Sequence, residues 1–136
     1  MMLVLIAALL SSSKSEIPPD VWDCVNDIEV WCAVDSCAAK SADETTPMAI
    51  TAARDGAFSV CAYTGCWEGR TDIADIAGRL IWAADGAAFS TRPEGFEADV
   101  SLLIIEAEGV GFVRAGGIAS PLLCTRRPVD EGAGVR

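Results

Sequence analysis

From Pro47 onward, apolar residues fall into short runs, and each run stops at a turn-forming pair. Phe58 and Val60 alternate with small or polar residues, as do Leu80 and Trp82. A period of two places one side of a strand in a core and the other in water. Ile50 to Arg54 leads through Asp55-Gly56 into Ala57 to Tyr63, and Leu80 to Ala84 leads through Asp85-Gly86 into Ala87 to Thr91. Asp-Gly between β-prone runs predicts a hairpin, because a type I′ turn needs positive φ at both central positions. The two segments look alike: Ala52-Ala53-Arg54-Asp55-Gly56-Ala57 beside Ala83-Ala84-Asp85-Gly86-Ala87. A third hairpin is expected where Glu108-Gly109 joins Val100 to Glu106 with Val110 to Arg114, and Ser120 to Arg126 gives a last strand. Leu102 to Ile105 is continuously apolar, which suits a central strand. Thr71 to Gly78 reads as a short helix or a wide loop. Glycines interrupt most windows of helical length, so the expected fold is mostly β. It is an antiparallel meander of seven or eight strands, curled into a small barrel or clam over residues 47–127.

Before Pro47 the periodicity is poor. Residues 16–46 carry Cys24, Cys32 and Cys37, Trp22 and Trp31, and many acids, Asp20 and Glu29 among them. They read as a loop-rich segment packed on the barrel, with one helical turn near Val25 to Val30. Leu3 to Leu10 is an apolar run too short to span a bilayer, and small serines follow it. Residues 1–15 are therefore expected to be a signal peptide, although no Lys or Arg precedes the apolar run. Residues 128–136 are expected to be a flexible tail.

A signal peptide changes the meaning of the cysteines. An even set in an exported chain implies disulfides: Cys24, Cys32, Cys37, Cys61, Cys66 and Cys124. None of the spacings is C-x2-C, and zinc or thioredoxin-type chemistry has no support. The pairing has fifteen possibilities. Cys61 and Cys66 flank Ala62-Tyr63-Thr64-Gly65 and face each other if that loop is a hairpin. A bridge from the N-terminal cluster to Cys124 would close the longest loop and stabilise most.

The 136 residues fit one domain, and 51% of them are hydrophobic. Twenty acids stand against 10 Lys and Arg, for a formal net charge of −10. That sign argues against nucleic acid and favours a cationic protein as partner. The chain has no histidine, which removes Ser-His-Asp, Cys-His and His-ligated metal sites. Glu106 and Glu108, and likewise Asp72 and Asp75, are carboxylate pairs, but both pairs fall at expected turns or loops. Ser11-x-x-Lys14 lies in the cleavage region. Gly109-Val110-Gly111 lacks the third glycine and the following helix of a dinucleotide site. No catalytic residue, cofactor or metal ligand is therefore assigned, and no enzymatic activity is expected. Arg126-Arg127 reads as an edge-strand guard. Trp22, Trp31 and Trp67, each near a cysteine, are the candidate partner contacts; packing of large rings on disulfides is the structural alternative.

The layout from Pro47 to Leu122-Leu123-Cys124 and Arg126 resembles small exported β-domain proteins of Gram-negative bacteria, and among them the periplasmic inhibitors of C-type lysozyme. Those are short eight-stranded antiparallel barrels with a cysteine closing the last strand. Their inhibitory loops use a Ser-Gly step followed by Tyr, and a Lys-Gly step. This chain has neither, and Trp67-Glu68-Gly69 places an acid where the Lys would stand. No inhibitory residue carries over. The expected function is an exported, periplasmic or secreted binding module that inhibits a cationic envelope enzyme such as lysozyme. The alternative is a carrier of a small apolar ligand, with its pocket inside the barrel.

Overall fold

A computed structural model describes residues 20–92 and 94–128. The expected signal peptide, the Ser11-x-x-Lys14 match and nearly all of the expected tail lie outside the described residues. The described chain is all-β. Its strands are β1 (Val21–Val25), β2 (Val30–Cys32), β3 (Cys37–Ala39), β4 (Ala49–Ala53), β5 (Ala57–Ala62), β6 (Gly65–Arg70), β7 (Ile73–Ile76), β8 (Arg79–Phe89), β9 (Ala98–Ile105), β10 (Val110–Ala115) and β11 (Ile118–Arg126). All pairings are antiparallel. The order β1-β4-β5-β6-β8-β9-β10-β11 closes on itself through β1 and β11, giving a barrel of 8 strands. This is the expected meander, with β7 and the β2–β3 hairpin as additions outside the ring.

Alternation in the sequence sets which side chains point inward. In β5, Phe58, Val60 and Ala62 are buried, and in β9 the buried set is Ala98, Val100, Leu102 and Ile104. Ile50, Val60, Leu80, Trp82, Leu102 and Ile104 meet in one core cluster. A barrel of this strand number has an interior just wide enough for side chains to fill. Trp82 is the largest of them, and its Nε1 donates to the Ala53 carbonyl at 3.1 Å, so no buried donor is orphaned there.

Five expectations are corrected. Asp85-Gly86 is not a hairpin turn. It lies within β8, where the register with β9 shifts between Ala84 and Ala87, and Gly86 takes φ +60°. A glycine in the left-handed region is what one type of β-bulge requires, so the same dipeptide bends a strand here without reversing it. Residues 73–76 are a strand, because Ala77 (φ 53°) and Gly78 (φ 76°) make a tight turn that folds β7 back onto β8. Residues 25–30 hold no helical turn; they bend from β1 into β2. The N-terminal segment is not merely laid on the barrel: β1 is one of its staves, hydrogen-bonded to both β4 and β11. Closure also removes the edge that Arg126-Arg127 was expected to guard. Those residues instead pair with Asp20 and Asp23.

Each disulfide joins residues directly opposite in register: Cys24–Cys124 across β1 and β11, Cys32–Cys37 across β2 and β3, Cys61–Cys66 across β5 and β6.

Because successive strands reverse, the turns segregate to two ends. One end collects the β4–β5, β7–β8 and β9–β10 turns with Asp20. Arg54 lies at their centre, paired with Asp20, Asp75 and Glu106. Arg126 also bonds Asp20 and holds its carboxyl below the usual range, against some opposing desolvation. The other end carries the candidate site.

Candidate functional site

The second end is formed by the β5–β6 turn, the loop between β8 and β9, the β10–β11 turn and the β2–β3 hairpin. These enclose a cleft of about 330 Å3 lined by Trp31, Tyr63, Thr64, Trp67, Phe89, Arg92 and Phe96. Aromatic rings make up most of its wall. Trp31 is 38% exposed, Tyr63 55% and Phe96 48%, well above the core rings.

Local backbone geometry admits these rings. Trp67 and Phe89 are opposite in the β6–β8 ladder, with centroids 5.0 Å apart and planes tilted by 53°. That arrangement lets the edge of one ring meet the face of the other. Phe89 lies so close to Gly65 that a Cβ there would sit 2.7 Å from its ring. Glycine at that position is a packing requirement. Trp31 leans on Gly117 in the same way, where a Cβ would come within 2.5 Å of the indole. Trp67 Nε1 donates to the Phe96 carbonyl at 2.9 Å, which fixes the loop carrying Phe96. The centroids of Phe89 and Phe96 are 6.5 Å apart, and the Arg92 guanidinium lies 5.0 Å from the centre of the Phe96 ring.

Behind the cleft lies Glu29, a fully buried carboxylate. Its Oε1 accepts hydrogen bonds from Trp31 Nε1 and from the Tyr63 hydroxyl at 2.8 Å; its Oε2 accepts the Thr46 N–H at 2.6 Å. The Lys40 ammonium is 3.1 Å from Oε1 and also lies over the Trp31 ring, 5.2 Å from its centre. Burial pushes the carboxyl pKa up, but the Thr46, Trp31, Tyr63 and Lys40 donors outweigh it and hold the pKa down at about 2. Glu29 is therefore ionised, and it positions two rings of the cleft from beneath. Tyr63 itself adopts φ 59°, a region uncommon outside glycine. Its ring thereby projects over the cleft while its hydroxyl reaches Glu29.

The structure brings two of the expected contact residues together and excludes the third. Trp31 and Trp67 line one cleft although they are far apart in sequence. Trp22 is buried in the barrel, because it alternates inward with Cys24 along β1. The carboxylate pairs do not build a site. Glu106 and Asp75 are ion partners of Arg54 at the opposite end. Sequence reading missed Tyr63, Phe89, Arg92, Phe96 and Glu29. Glu29 offered one signal, as an acid between Ile28 and Val30.

A second cavity, of about 560 Å3, lies on the outer wall over β8 to β11. Ile81, Leu103, Phe112 and Pro121 form a row there, each opposite the next in register. It is larger than the aromatic cleft, but among the described residues no buried charge stands behind it. Comparison with protein-family models, with curated proteins and with solved structures found no match for the chain.

Proposed function

We propose that the chain is an exported binding module that engages a cationic protein, such as a basic enzyme of the cell envelope, through the aromatic cleft. The observation that carries this reading is a set of half-exposed rings, held rigidly by backbone contacts and a buried carboxylate, on a chain of formal charge −10. Rigid aromatic anchors in a pocket are the residues that dominate binding energy at protein interfaces. An acidic surface steers a basic partner toward them. Three disulfides are the usual equipment of a chain that works in an oxidising compartment. The test is retention of C-type lysozyme on the immobilised protein, together with assay of its activity. The expected result is retention and inhibition that weaken with added salt and disappear in Trp67→Ala. No retention, or equal retention by Trp67→Ala, overturns the proposal.

The carrier was expected to hold its ligand inside the barrel, where Leu80, Trp82, Leu102 and Ile104 pack against one another instead. An apolar ligand is favoured by one observation, on the outer wall: the row Ile81, Leu103, Phe112 and Pro121. A fluorescent apolar probe that binds Phe112→Ser as well as it binds the wild type would remove it.

A further inference from the structure

We propose that the group read by the cleft is an arginine side chain of the partner, stacked among the Tyr63 and Trp67 rings. The inference rests on the binding-module reading above and names its ligand chemistry. Three observations carry it.

The first is that two rings of the cleft already hold cations of this chain, Lys40 over Trp31 and Arg92 over Phe96. Tyr63 and Trp67 line the same space and hold none among the described residues. The second is the ionised Glu29. A hydroxyl or indole N–H that donates to a carboxylate is polarised toward it, and the ring behind gains electron density. Such a ring face attracts a cation more strongly. Tyr63 is polarised in this way, beside Trp31. The third is charge. Lys40 and Glu29 offset one another, and the loop that carries Arg92 also carries Glu94 and Glu97. The setting is acidic overall, and an incoming cation meets attraction. A guanidinium suits these faces better than an ammonium, since it is planar and weakly hydrated.

The experiment titrates tryptophan fluorescence with two capped tripeptides, one with a central arginine and one with citrulline, its neutral near-isostere. The expected result is binding about tenfold tighter for the arginine peptide. Trp67→Ala abolishes that preference. Tyr63→Phe keeps the ring and loses the hydroxyl bond to Glu29, so it reduces the preference without unfolding the barrel. Arg92→Ala removes a competing cation from the cleft, so it tightens arginine binding.

Equal binding of the two peptides, no arginine binding at millimolar concentration, or a loss of binding in Arg92→Ala each overturns the inference. The last outcome would make Arg92 an anchor for an anionic ligand. If lysozyme retention depends on Trp67 while the peptides bind equally, this inference falls and the module reading stands. Retention indifferent to Trp67 sinks the cleft itself.

Discussion

Glu29 shows how one side chain can serve both stability and recognition. A buried carboxylate is costly unless every lone pair is used, and here the donors are Thr46, Trp31, Tyr63 and Lys40. Because its folded pKa lies at about 2, below the ordinary 4.5, it contributes stability that is fully present above pH 4.5. That contribution fades as pH falls from there through about 2. Glu29→Gln keeps the shape and removes the charge, leaving the Lys40 ammonium without its partner. Its NH2 group would also face the Thr46, Trp31 or Tyr63 donors, and the variant should be less stable by about 2 kcal/mol at neutral pH. It should also show a shallower fall in urea midpoint between roughly pH 5 and pH 2 than the wild type, with the remaining fall coming from carboxyls such as Asp20 and Asp55 that are also held low. Parallel acid profiles for the two proteins would show that Glu29 is not held ionised by its neighbours.

At the scale of single elements, the bulge in β8 separates two jobs that one dipeptide can do. Asp55-Gly56 turns the chain from β4 into β5, with Gly56 at φ +98°; Asp85-Gly86 leaves β8 running on toward the cleft. A Cβ on Gly86 would meet nothing within 4 Å, so the cost of Gly86→Ala is purely that of the left-handed backbone. Thermal unfolding should show a loss of about 1 kcal/mol, with the cleft intact. A neutral effect would mean that φ at residue 86 is not positive in solution. This pair also marks how far the sequence was legible. Short apolar runs bounded by turn-forming pairs placed β4, β5, β9, β10 and β11 near their observed bounds, because a strand ends where the chain must turn. The Asp85-Gly86 turn misled, because a dipeptide that permits positive φ does not say whether the next strand pairs backward or continues. That is decided by β9, which pairs with residues on both sides of the bulge. The cleft was half legible for a similar reason. Trp31 and Trp67 stood out by residue type, but their convergence depends on the barrel closing. Phe89 and Phe96 read as ordinary strand and loop residues until the turns are gathered at one end.

For the whole molecule, closure is the decisive step, and it depends on strands far apart in sequence. β1 meets β11 through Trp22↔Arg126, Asp23↔Thr125, Cys24↔Cys124 and Val25↔Leu123. Bringing such distant segments together carries a large loop entropy, which a covalent link removes from the unfolded chain. Cys24–Cys124 spans a sequence separation of 100, and Cys61–Cys66 spans 5. The loop-length argument gives about 4–5 kcal/mol for the first and about 2 kcal/mol for the second. Cys32–Cys37 also closes a short loop, but on a hairpin outside the ring, next to Trp31. Replacing each pair by alanine should therefore separate three effects. Loss of Cys24–Cys124 should lower the urea midpoint most, with Trp22 and Trp82, both buried in the barrel, reporting the opening. Removal of Cys61–Cys66 should lower it less. Without Cys32–Cys37, the midpoint should hardly move and arginine-peptide binding should weaken, because the hairpin that carries Trp31 is loosened while the barrel stays closed. Equal midpoint losses for the long and the short bridge would show that the seam between β1 and β11 is held by its hydrogen bonds and core contacts, with the covalent link adding little.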